Sequence, residues 1–386
     1  MTAKSVVPCV AHILPASDVG GTEVATIRVA HAAREHGYHN VAFILPKARR
    51  LWELFEDGGI PSLTFEPVEP SYRTPARFVA NTRRLVQEFR VGTRLVHCAD
   101  VPAAFYVGYA ARLARVPLLC HVRNRYAGMS LRDRRFLLPV QKFVFVSADT
   151  WRHFAYRVRP GRGLVLYDGI DLPTTAPPAG DSAALRTELA IPEGVPVIGM
   201  VARVALQKDY PTLVKAATSI IAAYGDVRFI VVGDCSSEAT YREYHQQVLG
   251  LAESSGIRSH FIFTDFRKDV ARFVNLMDIV VLSTHWEGFP LVLLEAMACA
   301  MPAVATAVDG IPELVTDHET GRLFPHDDAR ILAECLLDLL KSPAKARAMG
   351  HAGQDHVARN FSRATFTRNV GRLYGAMLDS EQSLAP

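Results

Sequence analysis

The chain has 386 residues, 49% hydrophobic and 21% charged, with a formal net charge of +4. That length is too great for one ordinary domain and suits two. The composition fits a globular enzyme rather than a disordered or fibrous chain, and no run of about 18 apolar residues is present to span a membrane. 

Residues 7–14 read as a first strand: the apolar run is broken by Pro8 and His12 and lacks the basic flank of a signal peptide. Further short apolar runs follow at 40–45, 94–98, 117–122, 143–147 and 164–167, separated by helical patterns at 22–35, 75–89 and 103–114. Strand–helix alternation of this kind predicts a mainly parallel, doubly wound sheet. The texture changes at 171–181, which is rich in Pro, Thr and Gly and predicts an interdomain linker. The alternation then restarts, with strands expected at 195–201, 227–232, 261–263, 279–282 and 303–305 and helices at 210–223, 239–253, 291–299 and 329–340. A last helical pattern covers 363–378. The expected organisation is an α/β domain over 1–170, a linker over 171–190, a second α/β domain over 191–362, and a terminal helix in 363–386 that returns to the first domain.

Six scattered cysteines form no CxxC pair, so neither a disulfide framework nor a zinc site is expected. Charge is unevenly spread. Residues 1–170 carry 24 Lys+Arg against 13 Asp+Glu, and the remainder carries 19 against 26. The basic half therefore either meets an anionic partner or presents a solvated face.

The segment from His285 to Pro302 is the most informative. Glu287 lies in a loop after an expected strand, and Glu295 lies about one turn inside the helix that follows. Between them, Gly288, Phe289, Pro290 and Leu291 form a helix entrance whose backbone N–H groups attract phosphate or sugar oxygens. Flanking carboxylates can accept hydrogen bonds from vicinal hydroxyls of ribose or hexose. Arg203 and Lys208 fall in the loop after the second domain's first strand, where ligands of open α/β sheets bind. Two cations there suit a diphosphate. In the first domain, Gly20 and Gly21 sit in the turn after the first strand, where a backbone can approach a ligand closely.

Glu287-Gly288-Phe289-Pro290, followed after four residues by Glu295-Ala296-Met297-Ala298, resembles the paired-glutamate motif of family 4 retaining glycosyltransferases, also called glycosyl transferases group 1. The segments 302–306, 309–315 and 321–324 are similar to the same family. The resemblance implies the GT-B fold, two Rossmann-like domains facing each other across a cleft. It assigns Arg203, Lys208 and Gly21 to the donor diphosphate, Glu287 with Gly288–Leu291 to the donor sugar, and Glu295 to the ribose. It places Thr264, Phe266 and Arg267 around the nucleobase. His121, which ends the strand 117–122, looks like the family's histidine near the transferred sugar and is taken with Glu287 as catalytic; His97 is the poorer match. The sequence departs from the family at Asp168, Cys235, Asp265, Ala300 and Asp309, the last four standing where the family has glycine.

The expected function is transfer of a sugar, with retention, from a nucleotide-sugar substrate to a glycan, lipid-linked or phosphorylated acceptor. An epimerase of the same fold and a binding module without turnover are the rivals. No Asp-x-Asp pair occurs to hold a divalent cation, so no metal and no cofactor are expected. The basic half suggests a cytoplasmic enzyme at the anionic inner face of a membrane, and no nucleic-acid partner.

Overall fold

The computed structural model describes residues 9–70, 73, 75–173 and 180–382. The chain divides into two compact units, Met1–Gly169 with Arg363–Pro386, and Ile170–Ser362.

The first unit is built on seven parallel strands: β1 (Cys9–Leu14), β2 (His39–Ile44), β3 (Ser62–Thr64), β4 (Thr93–Cys98), β5 (Leu118–Val122), β6 (Lys142–Phe145) and β7 (Gly163–Val165), in the order β3-β2-β1-β4-β5-β6-β7. Side chains alternate between the two faces. One face carries Ala11, Ile13, Val96, Cys98, Leu118, Cys120, Phe143 and Phe145 and packs on the helices Pro75–Arg90 and Val101–Ala114. The other carries Val10, Leu95, Leu119 and Val144 and packs on Gly21–Glu35 and the terminal helix Arg363–Gln382. Burial of both faces explains why the strands read as continuous apolar runs.

The terminal helix is integral to this unit. Phe366, Val370, Leu373, Tyr374 and Met377 are buried, and each large side chain withdrawn from water contributes about 1.5–3 kcal/mol. Gly371 lies so close to His36 that a Cβ there would stand 2.4 Å from the ring.

The second unit has six parallel strands: β8 (Val197–Val201), β9 (Arg228–Val232), β10 (Phe261–Phe263), β11 (Ile279–Leu282), β12 (Ala303–Thr306) and β13 (Arg322–Phe324), in the order β10-β9-β8-β11-β12-β13. Each sheet therefore reverses its winding once, between β1 and β4 and between β8 and β11, and ligands of such sheets bind beyond the carboxyl ends of the strands at that point. The strands β3 and β13 were not expected. Within the span 171–190 expected as linker, Asp181–Glu188 is a helix belonging to the second unit, and 174–179 lie outside the described residues. Among the described residues no helix is long and apolar enough to cross a membrane. All six cysteines are free.

Candidate functional site

At the carboxyl edge of the second sheet, hydrogen bonds join successive loops into one rim. After β10, the Asp265 carbonyl accepts from Gly233 N–H at 3.2 Å and its carboxylate accepts from Cys235 N–H at 3.1 Å. After β9, the Asp234 carbonyl accepts from Val204 N–H at 2.8 Å. The loops after β8 and β11 pair with each other, Asp209 N–H donating to the Ser283 carbonyl at 3.0 Å and His285 N–H to the Gln207 carbonyl at 2.9 Å. After β12, the Asp309 carboxylate accepts from Glu287 N–H at 2.9 Å. Every residue proposed from sequence for the second unit stands on this rim or on the helix that leaves it.

The closest union is between Lys208 and Glu287, whose side chains form an ion pair across the point of reversal. Both are largely enclosed, 13% and 12% exposed, so solvent screens the pair weakly. The Lys208 backbone is held too: its carbonyl accepts from the Tyr244 hydroxyl at 2.8 Å, and Asp209 beside it caps the helix Tyr210–Tyr224 through Thr212 N–H at 3.0 Å. Arg203 reaches the Tyr241 hydroxyl at 2.9 Å and lies over that ring, its guanidinium carbon 5.8 Å from the centroid. Such a contact aligns a planar donor fork in a half-buried loop.

Glu287 leads through Gly288 and Phe289 into the helix Leu291–Ala298, which begins at Pro290 without a side-chain cap. Leu291 and Glu295 are four apart and share the half-buried side of this helix, while Leu293, Leu294, Ala296, Met297 and Ala298 are buried. The arrangement presents a cation pair, two carboxylates and an uncapped helix entrance on one unit, which suits an anionic group joined to a polyhydroxylated one.

At the far edge, Thr264 continues from β10 with its N–H on the Val231 carbonyl at 3.0 Å. Phe266 is 39% exposed. The Arg267 side chain is drawn aside: it binds both Asp269 oxygens at 2.9 and 3.0 Å and lies 4.8 Å from the Phe273 ring centroid.

In the first unit, Gly21 opens the helix Gly21–Glu35, at whose entrance the Glu23 carboxylate accepts from Gly20 N–H at 2.9 Å. A Cβ at Gly21 would meet nothing within 4 Å, so internal packing does not demand glycine there. His121 is fully buried. Arg123 donates to its Nδ1 at 3.2 Å. Arginine has no acceptor, so that nitrogen carries the lone pair and the ring proton sits on Nε2, which has no hydrogen-bond partner among the described residues. Arg123 is itself held by Asp168 at 3.0 Å in a buried ion pair. Burial, reinforced by Arg123, pushes the His121 pKa well below the ordinary value, so the ring is neutral near neutral pH. It stacks on His97, centroids 5.5 Å apart, and His97 in turn contacts His12 at 5.2 Å and the Tyr374 hydroxyl at 2.7 Å.

Sequence reasoning missed Tyr241, Tyr244, His12 and Tyr374. Asp309 was noted only as a departure from the family. A loop aspartate where glycine is usual carries a signal, because aspartate enters the left-handed region more readily than most residues; Asp309 has φ 47°.

Residues 181–356 match the family described as Glycosyl transferases group 1, and residues 19–173 match Glycosyltransferase Family 4. The chain is 31% identical over 206 residues to a D-inositol 3-phosphate glycosyltransferase of Segniliparus rotundus, covering 53% of this chain and 45% of that one. It is 28% identical over 280 residues to a GDP-mannose-dependent monoacylated alpha-(1-6)-phosphatidylinositol monomannoside mannosyltransferase of Corynebacterium glutamicum, covering 68% and 71%. The chain thus spans under half the length of the inositol-phosphate relative. Among solved structures, Anabaena Alr3699/HepE in complex with UDP and glucose superposes with a TM-score of 0.83 at 20% identity, covering 95% of this chain and 99% of that one. A glycosyltransferase from Rickettsia africae gives 0.84 at 19%, covering 96% and 98%.

Proposed function

The chain belongs to the group 1, family 4 glycosyltransferases, with the two parallel-sheet units of the GT-B fold, and from that premise we propose that it moves a sugar from a nucleotide-sugar donor to an acceptor with retention of anomeric configuration. The observation that carries the reading is the Lys208–Glu287 pair at the reversal point of the second sheet, beside Arg203 and the helix entrance at Gly288–Leu291. Arg203 and Lys208 bind the diphosphate and, with no metal required, stabilise the charge that develops as the nucleoside diphosphate leaves. Glu287 accepts a hydroxyl of the sugar and Glu295 those of the ribose. The bond from the anomeric carbon to the phosphate oxygen breaks, the acceptor oxygen bonds to the same face, and its proton passes to the departing phosphate.

The acceptor belongs to the first unit and is anionic or lies at an anionic surface. Arg125, Arg132, Arg134 and Arg135 are exposed on one loop and short helix together with Leu131, 76% exposed, and Leu138, 52% exposed. Cationic and apolar groups side by side suit the headgroup region of a membrane. Relatives named for a D-inositol 3-phosphate and for a phosphatidylinositol mannoside support a phosphorylated or lipid-linked acceptor, met at the cytoplasmic face. The test is incubation with UDP-, GDP- and ADP-sugars with and without candidate acceptors. Release of nucleoside diphosphate supports transfer. An altered nucleotide sugar would identify an epimerase, and binding without release a module lacking turnover; either overturns the proposal.

A further inference from the structure

Beyond the residues assigned to the donor, the loops after β11 and β13 bring His285, His326 and Asp327 together, each offering one donor atom within 4.8 Å of the others. His285 Nδ1 stands 2.7 Å from His326 Nε2 and 3.8 Å from one Asp327 oxygen, and the other Asp327 oxygen stands 3.3 Å from His326 Nδ1. The two rings are tilted 69° to each other. His285 is fixed through its N–H on the Gln207 carbonyl, and Asp327, with a left-handed backbone of φ 60°, stands on the exposed side of the cluster.

We infer that these three side chains form a binding site for one borderline divalent transition-metal ion, of the zinc or nickel class. One Asp327 oxygen, 3.3 Å from His326 Nδ1, favours the proton on that nitrogen and leaves the Nε2 lone pair facing His285, while the other oxygen, 3.8 Å from His285 Nδ1, is the third donor. Two imidazole nitrogens on a tetrahedral ion stand about 3.3–3.4 Å apart, because each Zn–N bond is about 2.0–2.1 Å. The histidine pair therefore needs to part by only about 0.6 Å, with the ion replacing the shared proton. His285 re-forms its neutral ring with the proton on Nε2, so both rings enter as neutral ligands. Nitrogen donors with one carboxylate select borderline metals over magnesium or calcium, which take oxygen. His285 and His326 are 30% and 40% exposed, which gives the ion an entry path and leaves room for water ligands.

The site is distinct from the diphosphate cations, yet it adjoins the glutamate loop: His285 stacks on Trp286, centroids 6.2 Å apart, and Glu287 follows. Trp286 therefore serves as a built-in reporter. The experiment uses the full chain, freed of metal and then of chelator, titrated calorimetrically with Zn²⁺ and fluorimetrically with Ni²⁺. The expected result is one saturable equivalent of Zn²⁺, weakened at least about tenfold in both His326→Ala and Asp327→Asn, with Ni²⁺ quenching that disappears in Trp286→Phe. His326 and Asp327 lie on an exposed loop, and unchanged circular dichroism verifies that the variants fold. Wild-type affinity in both variants would assign the ion to other histidines or thiols and overturn the proposal, as would absence of a saturable one-to-one event in the parent protein.

Discussion

Removing the Lys208 ammonium separates two roles that the ion pair with Glu287 entangles. If Lys208 binds the donor diphosphate, Lys208→Ala removes a charge-assisted hydrogen bond worth about 1.5–3 kcal/mol, and kcat/KM falls about 10- to 160-fold. If Lys208 only neutralises Glu287, the same substitution harms the protein indirectly, by leaving a carboxylate that is 12% exposed without its cation. Breaking a fully buried pair in this way costs about 3–5 kcal/mol, an upper bound here. The two accounts part in the background of Glu287→Gln, where no carboxylate remains to be neutralised. There the donor-binding account expects Lys208→Ala to lower kcat/KM by a further factor of about ten or more. Steady-state kinetics of the two single variants and the double variant, with urea midpoints as a control on folding, make the measurement. A double variant as active as Glu287→Gln alone would refute the assignment of Lys208 to the phosphates.

Excess EDTA is expected to leave turnover unchanged if Arg203 and Lys208 supply the charge a metal would; activity abolished by EDTA and restored by Mg²⁺ or Mn²⁺ would refute this. Sedimentation with vesicles is expected to show salt-sensitive binding to anionic but not neutral lipid, weakened by charge reversal at Arg132, Arg134 and Arg135. Equal binding to both lipids at any salt would rule the electrostatic contact out. Acid is expected to destabilise the first unit early: burial holds the His12 pKa at about 4, and His97 and His121 are also well below the ordinary value. These groups are neutral in both states above about pH 6.5, and below it the unfolded chain binds more protons, so stability falls as pH drops. His12 alone accounts for about 3 kcal/mol by pH 4, and a urea midpoint unchanged between pH 7.5 and 5 would contradict the account. Ala300→Gly is expected to raise stability by about 0.5–1 kcal/mol, relief of a left-handed alanine less the entropy of glycine; a lowered thermal midpoint would contradict it.

The strands that carry the site were legible because both faces of each sheet are buried, and unbroken apolar runs such as Val197–Val201 and Ile279–Leu282 follow from that. The strands β3 and β13 are three residues each, Ser-Leu-Thr and Arg-Leu-Phe, too short and too mixed to show a period. The helix Pro343–Asn360 also escaped notice. Its buried face is made of Ala346, Met349, Gly350, Gly353 and Val357, three of them small, so that too few large apolar side chains recur to mark a helical period. A Cβ at Gly350 would stand 1.9 Å from the Ala300 carbonyl oxygen, so close approach and not apolar bulk sets that face. Partners distant in sequence, such as Tyr374 on His97 or Tyr241 on Arg203, leave no local trace at all.

Three of the departures from the family share one physical feature. Asp265, Ala300 and Asp309 stand where glycine is usual, and all three have left-handed backbones, with φ of 58°, 56° and 47°. At these three positions the chain meets a left-handed backbone with residues other than glycine, at a cost of about 1–2 kcal/mol each for an ordinary side chain. Two of the substitutions return something for the strain. The Asp265 carboxylate accepts from Cys235 N–H and Phe266 N–H and so ties the loops after β9 and β10. The Asp309 carboxylate holds the Glu287 amide and so fixes Glu287 relative to Lys208. Ala300 has no polar group to give. It closes the helix Leu291–Ala298, its own N–H on the Met297 carbonyl and Met301 N–H on the Ala296 carbonyl, both at 3.0 Å. Any residue that reaches the left-handed region can make those backbone bonds. Glycine is thus dispensable at 265 and 309 for a reason local to the rim, whereas at 300 its absence is strain alone, so restored glycine is expected to lose the loop hydrogen bonds at 265 and 309 and only to relieve strain at 300.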